Sequence, residues 1–369
     1  MKRFSRLIKY TIYFFLRKIG LLTKILDLRN YVFYFIWQLL HEPNFFHLAR
    51  HKKLVKKFSY TPLISIICPV YNPPIKALRS AIKSVQNQTY PHWELCITDA
   101  SSNPSIKNLI ETISRKDKRI RCVYLENNLG ISENTNKAIT LARGQYVAFL
   151  DHDDALSPFA LYEIVNLLQK NKNVDLIYSD EDLITDYFKY DKHKTFIQNL
   201  VKLFLSNKRF SPIFKPDFSI DTLRSYNYMT HLIVVNKQLG QDVNWLRKDF
   251  EGAQDYDFVL RVVERSKSIV HIPKILYHWR QVDGSTAKSI GAKPYADAAG
   301  KKALAEHFAR QGITATVSSG YIPTWYRVTY QITENPIVSI IIPNGNSTDE
   351  LIRCIGSILI RSSHSNFEI

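Results

Sequence analysis

The feature that most constrains the fold is a regular alternation of strand-length apolar runs and helix-length segments that begins at Pro62. This alternation predicts an α/β domain with a mostly parallel sheet and helices on its faces. The predicted strands cover 63–70, 92–100, 120–126, 146–150, 174–184 and 228–236, with a short edge strand over 269–280. Helices are predicted over 75–89, 105–116, 158–171 and 294–311, before Arg143, and within 250–266, and residues 324–332 form a strand or linker.

The fourth predicted strand ends in a cluster of carboxylates. The apolar run from Tyr146 to Leu150 leads into Asp151, His152, Asp153 and Asp154. Asp151 and Asp153 alternate along the chain, so their side chains point the same way. Paired carboxylates suit Mg²⁺ or Mn²⁺, which keep open positions for phosphate oxygens. The pattern predicts a metal site, although paired acids at a strand end can also cap the next helix.

A nucleotide crevice is predicted where the first two strands end. Pro69, Val70 and Tyr71 end the first strand, and Asp99 ends the second. Adjacent strand ends in an open sheet form the crevice that binds nucleotides. Tyr71 can stack on a base and Asp99 can accept from a base or ribose, or the two are a turn tyrosine and a capping aspartate. The chain contains neither GxGxxG nor GxxxxGK[ST], which argues against a dinucleotide fold and a P-loop.

Asp255 is the candidate general base. It lies where a helix is predicted to begin, after Glu251, Gly252 and Gln254. An aspartate at this position can simply complement the helix dipole. Facing a sugar donor, it can instead remove a proton from an acceptor hydroxyl. Glu251 and Asp257 are substitutes for this role.

Two further segments contribute polar groups. "YHWRQVDGST" places His278 and Arg280 after the predicted edge strand, where Arg280 can neutralise a departing diphosphate. A lone histidine such as His278 is as often structural as functional. "YSDED", residues 178–182, adds a second acidic strand end, for which a role beside the substrate or behind the metal is favoured over a second metal.

The first 60 residues carry most of the positive charge. They hold 13 Lys and Arg against Asp27 and Glu42, which accounts for 11 of the 17 net positive charges. Nucleic-acid binding is therefore not expected, since it needs a basic groove with stacking aromatics. The basic and aromatic mixture favours a helix on an anionic membrane surface or a helical hairpin packed on the core. The longest uncharged run, 12 residues from Asn30 to His41, is too short to span a membrane.

The end of the chain repeats its beginning. "IVSIIIPNGN" (337–346) matches "LISIICPVYN" (63–72), and the helix and strand that follow are echoed as well. The predicted organisation is a helical region over 1–60, a catalytic domain over 61–290, a helix and linker over 291–335, and the start of a second copy over 336–369. A fragment of this size cannot bury its own apolar face, so it either packs on the first domain or stays loosely ordered.

As an ordered set, the segments over 62–285 resemble the inverting nucleotide-sugar glycosyltransferases of family 2, which have the GT-A fold. The resemblance rests on "SIICPVYNPP", "SVQNQTYPHWELCITDASS", "NLGISENTNKAITLARGQYVAFLDHDD", "YSDED" and "GAQDYDF". It is strongest to bacterial polysaccharide members described as rhamnosyl- or galactosyltransferases, some with two such domains. The chain departs from them at "DAS", where many members have "DDGS".

The resemblance implies a role for each candidate residue. Pro69, Tyr71 and Asp99 contact the nucleoside, Asp151 lies near ribose and metal, Asp153 ligates the metal, Asp255 is the base, His278 contacts metal or diphosphate, and Arg280 faces the diphosphate. It also implies Mg²⁺ or Mn²⁺, a UDP- or dTDP-linked sugar donor and a glycan or lipid-linked saccharide acceptor. The expected location is the cytoplasm, on the inner face of the membrane. A nucleotidyltransferase and an inactive membrane-associated scaffold are the alternatives.

Overall fold

A computed structural model describes residues 21–185, 208–281, 294–332 and 334–369. Its helices are α1 (Leu21–His41), α2 (Phe45–Val55), α3 (Ile75–Gln86), α4 (Pro104–Lys116), α5 (Ile131–Ile139), α6 (Ala160–Lys170), α7 (Ile220–Ser225), α8 (Lys237–Asp242), α9 (Gln254–Arg265), α10 (Pro294–Gln311) and α11 (Thr348–Arg361). Its strands are β1 (Ile64–Val70), β2 (Trp93–Asp99), β3 (Ile120–Tyr124), β4 (Tyr146–Phe149), β5 (Ala155–Leu156), β6 (Leu176–Thr185), β7 (Arg209–Ile213), β8 (Ile233–Asn236), β9 (Ile269–Gln281), β10 (Ala315–Ser319), β11 (Tyr326–Tyr330), β12 (Val338–Ser339) and β13 (Phe367–Glu368).

Strands β1 to β9 form one sheet in the order β3-β2-β1-β4-β8-β6-β9-β5, with β7 paired to β6. The pairs β2–β3, β1–β2, β1–β4 and β6–β9 are parallel. Strand β8 runs antiparallel to both of its neighbours, β4 and β6. The predicted α/β class and mostly parallel sheet are therefore confirmed, with β8 reversed in the middle of the sheet and β5 and β7 paired antiparallel to β9 and β6.

The central strands are buried on both faces. Every residue of β1 and β2 is buried, as expected for parallel strands covered by helices. Helix α3 turns one apolar stripe to the sheet, and Leu78 and Ile82 on it have at most 1% of their surface exposed. Full burial of such a side chain contributes roughly 1.5–3 kcal/mol. This packing fixes the strand ends that carry the candidate site.

Three predictions about individual elements need correction. The segment predicted as a short edge strand is the 13-residue β9, which lies between β6 and β5 inside the sheet. The polar, aromatic and lysine-rich stretch 185–215 has no clear period, which predicts a loop region. It lies largely outside the described residues, but Arg209–Ile213 forms β7. The predicted linker contains the two-stranded antiparallel sheet β10–β11, of which only β11 was anticipated.

The described part of the N-terminal region is helical and is fastened to the sheet. From α1, the Tyr34 hydroxyl donates to Asp182 at 2.6 Å, and Glu42 accepts from Arg209 at 2.5 Å. From α2, the ring of His51 stacks on Tyr162 with centroids 3.8 Å apart. None of the described helices is long and apolar enough to cross a membrane.

The last described segment forms a small unit of its own. Strands β12 and β13 pair in parallel, and α11 connects them. No residue of α11 is buried, and Ile341 and Ile360 are 89% and 84% exposed. This strand–helix–strand order is the order of β1, α3 and β2 that the sequence repeat predicted.

Cysteines are free throughout the described chain. The four cysteines stand far apart in the sequence without a CxxC or metal spacing, which predicts reduced, buried thiols. Cys68 and Cys96 are buried and Cys122 is half-buried. Cys354 is exposed, so its predicted burial is wrong. It lies on α11, which covers no core.

Candidate active site

The carboxyl ends of β2, β1 and β4 lie side by side and are tied together by their loops. The register pairs Val70 with Asp99, and the amide of Leu150 donates to the carbonyl of Ile67 at 2.9 Å. After β4, the His152 ring nitrogen Nδ1 lies 3.0 Å from the carbonyl of Pro69. The parallel order of these strands thus brings three predicted site segments to one edge.

The residues predicted to line a nucleoside crevice lie at the ends of β1 and β2. Tyr71 follows β1 and is 48% exposed, which leaves its ring available for stacking. Asp99 is 3% exposed, and one of its oxygens accepts from the Ser101 amide at 3.0 Å. The amide of Asn72 donates to the Ser101 hydroxyl at 2.9 Å, joining the loops after β1 and β2. Pro69, Tyr71 and Asp99 therefore lie at the same edge of the sheet, where Tyr71 is exposed and Pro69 and Asp99 are buried.

The acidic loop, residues 151–154, holds three carboxylates in different surroundings. Asp151 has 51% of its side chain exposed. Asp153 is half-buried, and burial raises its pKa, with the charge of Asp151 adding to the rise. Asp154 is 1% exposed and accepts from the Tyr277 hydroxyl at 2.5 Å and from the Arg280 amide at 2.7 Å. Burial and the neighbouring carboxylates hold the pKa of Asp154 well above its ordinary value.

His231, which the sequence analysis did not single out, lies beside this loop. Its Nε2 lies 3.8 Å from an Asp151 oxygen, and its Nδ1 lies 2.8 Å from a Glu181 oxygen. Burial lowers the pKa of His231, but the charges of Glu181 and Asp151 outweigh it and raise the pKa to about 9. The residue precedes β8, and because β8 runs against β4, its start lies beside the end of β4.

Asp151, Asp154 and His231 form the group of the described residues best placed to hold a metal ion, with ligand atoms within 4.8 Å of one another. Asp151 and His231 fit a divalent cation, since a carboxylate oxygen and an imidazole nitrogen converge there. Asp154 fits less well, because both of its oxygens already accept hydrogen bonds. Asp153, the predicted ligand, lies in the same loop but outside this group.

His278 does not join the group. Its Nδ1 lies 2.6 Å from Asp182 and its Nε2 lies 2.9 Å from the Ser157 hydroxyl, so both ring nitrogens are engaged. Its placement matches a structural histidine, because neither nitrogen faces the acidic loop. His231, rather than the predicted His278, is the histidine that lies beside the carboxylates of the acidic loop.

Arg280 supports the acidic loop from behind. It is 1% exposed, and its Nε donates to the carbonyl of Asp153 at 2.8 Å. Its backbone amide holds Asp154 at 2.7 Å. The residue therefore positions the loop and adds positive charge at this edge of the sheet.

The acids of "YSDED" are all paired. Asp180 lies 2.8 Å from His271, Glu181 is paired with His231 and Lys215, and Asp182 is held by His278, Tyr34 and Arg209. Glu181 therefore stands directly behind His231. The role beside the substrate or behind the metal that the sequence favoured for these acids stays a prediction.

Asp255 lies at the second position of α9 and faces a cavity of about 220 Å³. It is half-buried, and the Asn227 amide Nδ2 donates to one of its oxygens at 3.0 Å. Burial raises its pKa, while backbone amides at the helix start and His231 oppose the rise. The charge of Asp151 in the acidic loop adds a smaller rise to the pKa of Asp255.

The two substitutes for Asp255 have other partners. Asp257 is fully buried and forms ion pairs with Arg247 and Arg261. Glu251 lies against the turn at Gly130, where the Ser132 amide is 3.4 Å from its carboxylate. Of the three acids, Asp255 is the one that lines the cavity.

Comparison with known proteins identifies the family. Residues 65–230 match the profile described as Glycosyl transferase family 2. The O-antigen biosynthesis protein RfbC of Myxococcus xanthus is 34% identical over 334 residues, which cover 90% of this chain and 24% of RfbC. Residues 65–230 belong to glycosyltransferase family 2. The predicted family, a family of glycosyltransferase enzymes, is confirmed.

The chain is also similar to a second relative and to a solved structure. The uncharacterized protein y4gI of Sinorhizobium fredii is 40% identical over 325 residues, which cover 87% of this chain and 34% of y4gI. The chain thus spans about a third of y4gI and about a quarter of RfbC. The structure of S. aureus TarS 1-349 in complex with UDP-GlcNAc aligns with a TM-score of 0.50 at 16% identity, covering 66% of each chain. That likeness concerns the fold and agrees with the predicted GT-A architecture.

Proposed function

We propose that the chain transfers a sugar from a UDP- or dTDP-linked donor to a hydroxyl of a glycan or lipid-linked saccharide in cell-surface polysaccharide synthesis. The observation that carries the proposal is the position of Asp255, a half-buried carboxylate that faces a cavity. Its pKa is raised by burial, and the charges of His231 and Asp151 act on it. The name of the relative RfbC, an O-antigen biosynthesis protein, supports the polysaccharide context.

The donor is proposed to lie along the carboxyl edge of the sheet. Tyr71 stacks on the base, and Pro69 and Asp99 line the nucleoside crevice, which places the diphosphate over the acidic loop. The TarS structure supports a nucleotide-sugar donor, because TarS binds UDP-GlcNAc.

Asp151 and His231 are proposed to hold the metal, with Asp153 as the further ligand predicted from the sequence. Glu181 orients the His231 ring through its contact with Nδ1 at 2.8 Å. A bound Mg²⁺ or Mn²⁺ supplies positive charge that offsets the charge on the leaving diphosphate. Arg280 adds a fixed positive charge beside the carbonyl of Asp153.

The reaction is proposed to be a single displacement. The acceptor oxygen forms a bond to the anomeric carbon as the bond from that carbon to the diphosphate oxygen breaks, and the electron pair leaves with the diphosphate. Asp255 takes the proton of the acceptor hydroxyl. Attack on the face opposite the leaving group inverts the anomeric configuration.

Asp255→Asn tests the base assignment. The substitution keeps the shape of the side chain but removes the proton acceptor, so transfer should fall by about 10²–10⁴-fold while the nucleotide-sugar affinity stays unchanged. Asp349→Asn is a matched control, since Asp349 is an exposed aspartate in the first turn of α11. Transfer at the wild-type rate in Asp255→Asn would place the base elsewhere.

We also infer that the protein works in the cytoplasm at the inner face of the membrane. The side of α1 that faces away from the sheet, together with the start of α2, exposes apolar residues: Phe33, Leu39, Leu40, Phe45 and Phe46 are 63–79% exposed. Basic side chains follow in α2, including Lys52 and Lys53 in its last turn. Exposed aromatics next to basic residues suit an anionic lipid surface.

A further inference from the structure

A stacked aromatic pair borders the cavity that contains Asp255. The rings of Tyr226 and Trp325 lie 4.6 Å apart between centroids, with 13° between their planes, and both line the cavity. Trp325 keeps 44% of its surface exposed although Tyr226 covers one face of its indole. An apolar aromatic surface is thus presented to solvent beside the proposed base.

The position of Trp325 is fixed by the turn between β10 and β11. Its carbonyl accepts from the Gly320 amide at 2.7 Å, and its own amide donates to the carbonyl of Ile322 at 3.0 Å. The next residue, Tyr326, is buried and stacks on Tyr256, the neighbour of Asp255, with centroids 5.9 Å apart. The turn therefore holds Trp325 in a set relation to Asp255.

Asn227 lines the same cavity and holds the proposed base. Its Nδ2 donates to a carboxylate oxygen of Asp255 at 3.0 Å. The carboxylate settles the orientation of the amide, because only the NH₂ group can donate to it. Asn227 therefore fixes the Asp255 side chain at the cavity wall.

The residues that line the cavity do not suit the negatively charged diphosphate of the donor. Asp255 is the charged residue among the described groups that line the cavity, and none of them is basic. A volume of about 220 Å³ is below the roughly 300–1,000 Å³ usual for pockets that take drug-sized ligands. The cavity therefore suits one neutral ring that has an apolar face and hydroxyl donors.

We propose that this cavity is the subsite for the acceptor sugar. A pyranose places its C–H face on Trp325 and one of its hydroxyls at Asp255. Trp325 is then a specificity-determining residue on the acceptor side. The proposal rests on the proposed function only in the role of Asp255 as base.

Saturation-transfer NMR on the full chain tests the subsite without a donor. The probes are methyl glycosides of galactose, glucose, mannose and rhamnose, and the variants are Trp325→Ala and Trp325→Phe. We expect at least one glycoside to bind the wild type, about tenfold weaker binding in Trp325→Ala, and near wild-type binding in Trp325→Phe, which keeps an aromatic face. Tyr321→Ala is the control, because Tyr321 lies in the same turn, is fully exposed and is not part of the cavity lining.

The outcome of this glycoside-binding test can be told apart from the outcome for the proposed function. UDP and dTDP binding is measured on the same samples by calorimetry, and thermal melting checks that each variant is folded. A glycoside that binds the wild type and is lost only in Trp325→Ala supports the subsite, whatever the nucleotide result. Binding of none of the four glycosides, or equal binding in wild type and Trp325→Ala, overturns the subsite even if the chain binds nucleotides.

Discussion

At the scale of residues, two aspartates in α9 have different partners. Asp257 is fully buried between Arg247 and Arg261, so its charge is neutralised. Asp255 has an amide as its side-chain partner and a raised pKa. Because the base must be ionised, activity should fall as the pH drops through this raised pKa, above the usual aspartate range near about 3.9.

His231 gives the residue-scale prediction for the metal. His231→Ala removes the nitrogen that faces Asp151 at 3.8 Å, so the Mn²⁺ affinity measured by calorimetry should fall at least about tenfold. His92→Ala is the control, since His92 is exposed and precedes β2 at the opposite edge of the sheet. An unchanged Mn²⁺ affinity in His231→Ala would remove this residue from the proposed site.

At the scale of elements, the sequence located the parts of the site that lie on parallel strands. Asp151, Tyr71 and Asp99 were predictable because the ends of parallel strands share one edge. His231 was not predictable in this way, because β8 is reversed and its beginning, not its end, reaches that edge. Trp325 was missed for a similar reason: its turn follows β10, a strand with no apolar run to reveal it.

The anchoring of α9 gives the element-scale prediction. Asp257→Asn leaves the guanidinium groups of Arg247 and Arg261 without their buried carboxylate, which should lower the free energy of unfolding by about 3–5 kcal/mol. The measurement is urea unfolding followed by circular dichroism. Glu111→Gln, which breaks the exposed pair with Arg115 on α4, should cost less than about 1 kcal/mol. A loss no larger than that of the control would show that the buried pair does not stabilise α9.

At the scale of the whole molecule, the described N-terminal helices join the proposed membrane surface to the catalytic sheet. Arg209 pairs with Glu42 of α1 and with Asp182 of β6, and Asp182 also holds His278. The apolar side of α1 is therefore presented by a helix that is fixed to the domain. Binding through this side would hold the catalytic domain close to lipid-linked acceptors.

Vesicle flotation tests this surface. Replacing Phe45 and Phe46 by Ser should reduce binding of the full chain to vesicles of phosphatidylglycerol and phosphatidylcholine by roughly tenfold, because exposed aromatic area is lost. Binding of the wild type should weaken as salt is added. Ile341→Ser is the control, an 89% exposed apolar residue outside this surface. Equal flotation of the double variant and the wild type would contradict the assignment.

The most direct test of the central claim is to identify the products formed from a panel of nucleotide sugars with Mn²⁺ and the four methyl glycosides, by mass spectrometry and NMR. The account predicts free nucleoside diphosphate in a one-to-one ratio with a new glycoside of inverted anomeric configuration, and about 10²–10⁴-fold slower formation of both products in Asp255→Asn. Release of sugar 1-phosphate, with the nucleoside monophosphate transferred to the acceptor, would indicate a nucleotidyltransferase, and the absence of both turnover and nucleotide-sugar binding would indicate an inactive scaffold. Either result would contradict the proposed sugar transfer.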